Sequence, residues 1–231
     1  PTADLYIKRA LVQERLRNYQ PAARDVRSAI GIDSTNAQYY IILGRLYVQL
    51  PYTKGAIETY QQVMALEPEN TVVPMMLGKQ LFIVKEYDET DRWLKLAIDR
   101  NRLQPDPYYW RGKVLKEMGK TDLAIASYQR AVEISPDNFV AYLELGELYA
   151  LKKDRKAEAY YKNALDLNPG SVRALYGRGK YYQDVDSLDK AMADYQKILE
   201  TVPDFLTTNY NMGFIHFKRG EYERAVHYFS R

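Results

Sequence analysis

Six glycines recur along this chain at a nearly constant interval. They are separated by 34, 34, 34, 33 and 34 residues and are Gly44, Gly78, Gly112, Gly146, Gly179 and Gly213. A second pattern, Ala, aromatic, Ala and Pro, keeps the same register, and its clearest copies are Ala124, Tyr128, Ala131, Pro136 and Ala157, Tyr161, Ala164, Pro169. Because an unrelated globular chain does not hold such a register, the period predicts a protein built from repeated units.

Each unit reads as two amphipathic helices. In the fourth unit, Asp106 begins the first helix, Gly119 marks a turn, and Pro136 follows the second helix. Apolar residues of that second helix recur at helical spacing from Leu123 to Ile134. One such pair cannot bury its apolar face alone, so the next pair has to cover it.

The recurring small residues predict a close crossing of the two helices. Glycine at the eighth position and alanine at the twentieth are expected to face each other, because only a missing or minimal Cβ allows that approach. The fifth unit is one residue short, and its segment Lys152–Arg155 is expected to make a tighter turn than Gly119 allows.

The combination of an aromatic residue, Leu-Gly, Tyr, Ala, Tyr or Phe, Ala and Pro resembles the tetratricopeptide repeat family. The resemblance implies an all-α fold, a right-handed superhelical solenoid of about seven antiparallel helix pairs that forms a single array over residues 1–231. The expected units are 3–36, 37–70, 71–104, 105–138, 139–171, 172–205 and a truncated unit 206–231. Because the last unit stops in its second helix, we expect the natural protein to be longer, or this end to be covered by another copy.

The composition disfavours several classes of function. With 33 Lys and Arg against 30 Asp and Glu, the net charge of +3 gives no overall field that favours nucleic acid or a membrane surface. The chain has no Cys and only two His, so no metal site or cofactor is expected, and no apolar run is long enough to insert into a membrane. The segment Gly177–Lys180 departs from a phosphate loop at its glycine spacing and at Tyr181. We therefore predict that the chain is not an enzyme.

The resemblance also implies which surface binds. In this family the first helices line a concave groove, and their second, fifth, sixth, ninth, twelfth and thirteenth positions point into it. In units two to four the fifth and sixth positions are apolar, and the ninth is basic; Tyr176 and Lys180 continue these rows. We expect one side chain of each apolar pair to stay exposed and to mark an interface. The candidate site comprises Ile41, Ile42, Arg45, Met75, Met76, Lys79, Tyr109, Trp110, Lys113, Tyr176 and Lys180.

These residues predict a scaffold that binds another protein. An extended or short helical segment of the partner would place apolar side chains on Ile42, Met76 and Trp110, and acidic groups beside Arg45, Lys79 and Lys113. One alternative is RNA binding along the basic row with stacking on tyrosines. Another is self-association through the seventh unit, near Ala225 and Phe229. The sequence does not distinguish a cytoplasmic protein from an exported one.

Overall fold

The computed structural model describes residues 2–231, and this part of the chain folds into fourteen α-helices without a strand. The predicted all-α fold is confirmed. The chain divides into two compact units, the first ending at Ser127 and the second covering Tyr128–Arg231. The first unit contains α1 (Ala3–Arg15), α2 (Tyr19–Ile32), α3 (Ala37–Gln49), α4 (Thr53–Leu66), α5 (Val73–Ile83), α6 (Tyr87–Arg100), α7 (Pro105–Glu117) and the start of α8 (Thr121–Ile134). The second contains the rest of α8, α9 (Phe139–Leu151), α10 (Lys156–Leu167), α11 (Val172–Asp184), α12 (Leu188–Thr201), α13 (Leu206–Lys218) and α14 (Tyr222–Phe229).

Neighbouring helices along the chain are also neighbours in space. In the first unit α1 packs on α2, α3 on α4 and α5 on α6, and each of these pairs also contacts the helix that follows it. The second unit repeats the arrangement with α9 and α10, α11 and α12, and α13 and α14. Within each unit, therefore, one helix pair buries the apolar face of the next, as a repeat protein requires.

Four of the recurring glycines, Gly44, Gly146, Gly179 and Gly213, make room for an aromatic ring, and Gly78 makes room for Leu94. A Cβ on Gly44 would lie 2.4 Å from Cε1 of Tyr60, and a Cβ on Gly179 would lie 2.6 Å from Cε1 of Tyr195. The group nearest to Gly44 and Gly179 is thus the ring at the twenty-fourth position, not the alanine at the twentieth, whereas at Gly78 the backbone oxygen of Thr90, at the twentieth position, would also lie 3.7 Å from a Cβ. Ala56 is itself fully buried in the core beside Tyr60.

The turn inside each helix pair places one residue in the left-handed region. Gly119 adopts φ 72°, and Lys153 occupies the equivalent place in the fifth repeat with φ 52°. The prediction of a tighter turn at Lys152–Arg155 is wrong. That turn spans residues 152–155, whereas the turn in the fourth repeat spans residues 118–120. The helix that follows it, α10, has 12 residues, and the corresponding helix α8 has 14. The turn is one residue longer and the second helix two residues shorter, so the missing residue is lost from the second helix.

Candidate functional site

In the first unit, α5 and α7 bring two lysines and two aromatic rings together. We call Lys79, Phe82, Trp110 and Lys113 the Trp110 cluster. Lys79 Nζ lies 5.2 Å from the centroid of the Trp110 ring, and Lys113 Nζ lies 4.9 Å from it. Lys113 Nζ is also 5.0 Å from the Phe82 ring, which meets the indole edge to face at 5.8 Å. A cation this close to an aromatic face is attracted by the ring quadrupole, so the cluster holds two positive charges around one indole.

The two lysines differ in their negative partners. Lys79 Nζ is 3.8 Å from a carboxylate oxygen of Asp106, which lies in the first turn of α7 and is largely exposed. The contacts that Lys113 makes within residues 2–231 are with the rings of Phe82 and Trp110, and no carboxylate of that part of the chain lies at ion-pair distance. The cluster thus carries more positive than negative charge.

Apolar side chains continue this face toward α3. Ile41 and Met76 both pack partly against one core cluster, which includes Val73, Leu77 and Leu81. Met75, Tyr109 and Trp110 are likewise half-buried, and the rings of the last two lie 6.0 Å apart. These side chains therefore combine support from the core with a remaining accessible surface.

Ile42 does not belong to this accessible face. Its side chain is only 4% exposed and packs in a different core cluster, with Ala10, Val26 and Leu46. The prediction that Ile42 contacts a ligand is therefore wrong. Ile42, at the sixth position of the second repeat, points into the preceding helix pair. Met76 and Trp110, at the sixth position of the next two repeats, keep accessible surface.

Two other basic residues of the candidate site already form ion pairs with carboxylates of the chain. The guanidinium of Arg45 donates two hydrogen bonds of 2.8 Å to Glu14, which lies on α1. In the second unit Lys180 Nζ donates a hydrogen bond of 2.8 Å to Asp184, one helical turn further along α11. An acidic ligand would have to compete with these internal partners at Arg45 and at Lys180.

Tyr176, in the second unit, lines a cleft of its own. This cleft has a volume of about 410 Å³ and is also lined by Leu206, Thr207, Tyr210 and Asn211. Asn211 Nδ2 donates a hydrogen bond of 3.3 Å to Tyr176 Oη. The structure describes this cleft within the second unit, separately from the Trp110 cluster of the first.

Phe82 is the member of the Trp110 cluster that sequence reasoning missed. It occupies the twelfth position of the third repeat, a position that the family resemblance implies points into the groove. An aromatic residue at this position is the sequence signal that indicates Phe82. Its ring supports Lys113 and packs against Trp110, so the indole is fixed from both α5 and α7.

His216 belongs to the packing of the second unit. Its ring is buried, lies parallel to the Tyr228 ring at 5.3 Å, and has Nδ1 2.7 Å from a carboxylate oxygen of Glu221. Across residues 2–231, no group of three or more His, Asp or Glu side chains is arranged to hold a metal ion. None of the helices in that range combines the length and the apolar character needed to cross a membrane.

Comparison with known families identifies the repeat. One family model described as "TPR repeat" matches residues 112–153, and two described as "Tetratricopeptide repeat" match residues 37–70 and 155–204. The chain belongs to the tetratricopeptide repeat family. Proteins of this family mediate protein–protein interactions, and the helix pairs described above are its structural unit.

The chain is similar to two subunits of multiprotein complexes. It is 29% identical over 174 residues to BBSome complex member BBS4 of Bos taurus, an alignment that covers 75% of this chain and 33% of that protein. It is 25% identical over 176 residues to anaphase-promoting complex subunit 3 of Schizosaccharomyces pombe, covering 76% of this chain and 26% of that protein. The chain thus spans about a third or less of these relatives.

A solved structure shares the fold. The crystal structure of YrrB, described as a tetratricopeptide repeat protein with an unusual peptide-binding site, superposes with a TM-score of 0.70 at 22% identity. The match covers 80% of this chain and 96% of YrrB. At this level of identity the likeness concerns the fold.

Proposed function

We propose that this chain is a non-enzymatic scaffold that binds an extended or short helical segment of another protein. The binding surface is the face formed by α3, α5 and α7, which in this family is the concave groove. The observation that carries the proposal is the Trp110 cluster, where an accessible indole is held by Phe82 and flanked by Lys79 and Lys113. Trp is among the residue types that contribute most to protein interfaces.

Apolar contacts would supply most of the binding free energy. Exposed ion pairs contribute only about 0.2–1 kcal/mol each, whereas full burial of one large apolar side chain contributes about 1.5–3 kcal/mol. Met76 and Met75 lie beside the cluster on α5, and their flexible thioethers can adapt to the shape of a ligand. The ligand should therefore present apolar side chains to Met76 and Trp110, with acidic groups near Lys79 and Lys113.

Affinity capture with the immobilised chain tests this surface. A variant carrying Met76→Ala and Trp110→Ala should lose proteins that the unchanged chain retains. A control variant with Leu103→Ala and Leu123→Ala removes two exposed apolar side chains of the same unit and should retain them. Equal capture by all three proteins would rule out this surface as the binding site.

Salt dependence separates peptide binding from RNA binding. Because Arg45 and Lys180 are engaged by Glu14 and Asp184, the basic row offers few cations to a phosphate backbone. We expect the affinity for a captured protein to fall only modestly between 50 and 200 mM salt, since apolar contacts dominate. A loss of roughly 1,000-fold over that range, with single-stranded RNA as a competitor, would indicate a nucleic-acid ligand instead.

We propose self-association of the 231-residue chain as a second candidate function, because within residues 2–231 the faces of α14 and α1 that correspond to buried faces of other repeats are accessible. Phe229 is 48% exposed, whereas Tyr195, at the same position of the preceding repeat, is fully buried. Val12 on α1 is also exposed, while its counterpart Leu46 is buried. The α14 face of one copy can therefore cover the α1 face of another, as consecutive repeats do internally.

Light scattering tests the self-association. The measured mass should rise above 26.9 kDa with concentration, and Val226→Glu on the exposed face of α14 should prevent the rise. A constant mass of one chain at high concentration would exclude this candidate and leave the peptide-binding proposal unaffected.

A further inference from the structure

A carboxylate beside the Trp110 cluster, that of Asp106, pairs only loosely with Lys79. Asp106 Oδ2 lies 3.8 Å from Lys79 Nζ, which is beyond hydrogen-bond distance, and the Asp106 side chain is 62% exposed. The Lys79 side chain is only 29% exposed. A partly desolvated ammonium group gains more from a close carboxylate than a fully hydrated one does, and Asp106 does not make that close contact.

The two ammonium groups are held in place before any ligand arrives. Lys79 packs over one ring, and Lys113 packs over two. Lysine side chains normally lose considerable rotamer freedom when they pair with a ligand, and groups that are already positioned lose less. A carboxylate that reaches the Trp110 ring from solvent therefore meets two oriented cations, of which only Lys79 has a carboxylate nearby.

We infer, building on the proposed peptide-binding function, that the Trp110 cluster selects an acidic side chain of the bound segment and that Asp106 competes with this side chain for Lys79. The ligand is a peptide in which Asp or Glu lies close to a large apolar residue. The apolar residue contacts Met76 and the indole, and the carboxylate lies between Lys79 and Lys113. Asp106 turns away toward solvent when the ligand is bound, which its exposure allows.

Asp106→Asn tests the competition directly. The substitution removes the competing charge and keeps the size of the side chain, so acidic peptides should bind about two- to fivefold more tightly, the range expected for one exposed ion pair. The control is Asp99→Asn, which changes the net charge equally at an exposed position of α6. Lys113→Gln should weaken binding of the same peptides by a similar factor.

The probes are peptides selected from a library of random twelve-residue sequences displayed on phage. Selection on the unchanged chain should enrich Asp or Glu near an aromatic or aliphatic residue, relative to selection on the Met76→Ala and Trp110→Ala variant. Each selected peptide is synthesised with a fluorescent label, together with an analogue in which Gln or Asn replaces the acid. Affinities are measured by fluorescence anisotropy.

The outcomes separate the inference from the function on which it rests. Tighter binding of the acidic peptide to Asp106→Asn, with no change for its amide analogue and none for Asp99→Asn, supports the inference. A merely structural role of Asp106 in the first turn of α7 would change both peptides alike. Selected peptides without an acid preference, or with affinity unaffected by Asp106→Asn, would overturn the inference alone. Failure to enrich any peptide would overturn the peptide-binding function as well.

Discussion

The guanidinium of Arg178 on α11 donates two parallel hydrogen bonds of 2.7 Å to the carboxylate of Asp194 on α12. The same positions of the first repeat hold Arg9 and Asp25, which form the same two-bond pair at 2.6 Å. Both pairs join the first helix of a repeat to the second. They differ in burial, because the side chains of Arg178 and Asp194 are 17% and 4% exposed whereas that of Arg9 is 62% exposed.

Asp194→Asn should therefore destabilise the protein more than Asp25→Asn. The first change leaves a mostly buried guanidinium without its counter-charge, and such losses cost about 3 kcal/mol. The second leaves Arg9, which is largely exposed, free to hydrate, so the loss of stability should be clearly smaller. Urea unfolding followed by circular dichroism measures both free energies. Equal values would show that burial does not determine the strength of these pairs.

Acid should weaken the Arg9–Asp25 pair. The hydrogen bonds from Arg9 hold the pKa of Asp25 below the ordinary aspartate value. As the pH falls, Asp25 of the unfolded chain takes up a proton at a higher pH than Asp25 of the folded chain. The stabilisation by this pair is therefore fully present above the ordinary aspartate pKa and is lost as the pH falls through the lowered pKa. Arg9→Met should reduce the unfolding free energy at pH 7 and make less difference toward pH 3. A difference that stays constant over this range would contradict the assignment.

Gly44→Ala should destabilise the first unit. The added methyl would lie 2.4 Å from the Tyr60 ring, which is buried and cannot move away, and overpacking of this kind costs about 1–3 kcal/mol. Gly31→Ala is the matched control, since a Cβ there meets nothing within 4 Å and alanine favours the helical conformation by about 0.5–1 kcal/mol. Thermal unfolding should shift in opposite directions for the two variants. A similar loss in both would point to a general intolerance of α2 and α3 to substitution.

Arg17→Gly should stabilise the turn between α1 and α2. Arg17 adopts φ 59°, a conformation that costs about 1 kcal/mol for a residue with a Cβ and that glycine adopts freely. The reciprocal change, Gly119→Ala, places a Cβ in the same conformation with φ 72° and should destabilise by a similar amount. Denaturant midpoints test both. Stabilisation by Gly119→Ala would mean that unfolded-state entropy outweighs the strain of the turn.

The sequence was sufficient to predict the helices and their order, because glycine, alanine and proline recur at positions where helix geometry leaves little choice. It was insufficient to predict which atoms fill the space beside each glycine. A small residue indicates that another group of the protein approaches it closely. Ala56 and Tyr60 both lie on the helix that follows Gly44, and only the packing shows that the Tyr60 ring makes the closest approach.

The candidate site was predicted less completely, for two physical reasons. Position in the repeat indicates the direction of a side chain only to within part of a helical turn, so the pattern predicts an accessible Ile42 although its side chain is buried. Position also says nothing about the partner of a charge. The pairing of Arg45 with Glu14 depends on a side chain from another repeat, and Phe82 becomes part of the site through its contacts with Lys113 and Trp110.

The fit between Gly44 and Tyr60 has a consequence for protein engineering. The two residues come from different helices of one repeat and have to be transferred together. The Tyr60 ring opposite an alanine at position 44 would clash, and Gly44 opposite a side chain smaller than tyrosine would leave a void. Chimeras of this chain with other repeat proteins should therefore be joined between repeats. A junction placed between the two helices of one repeat would separate residues that pack against each other.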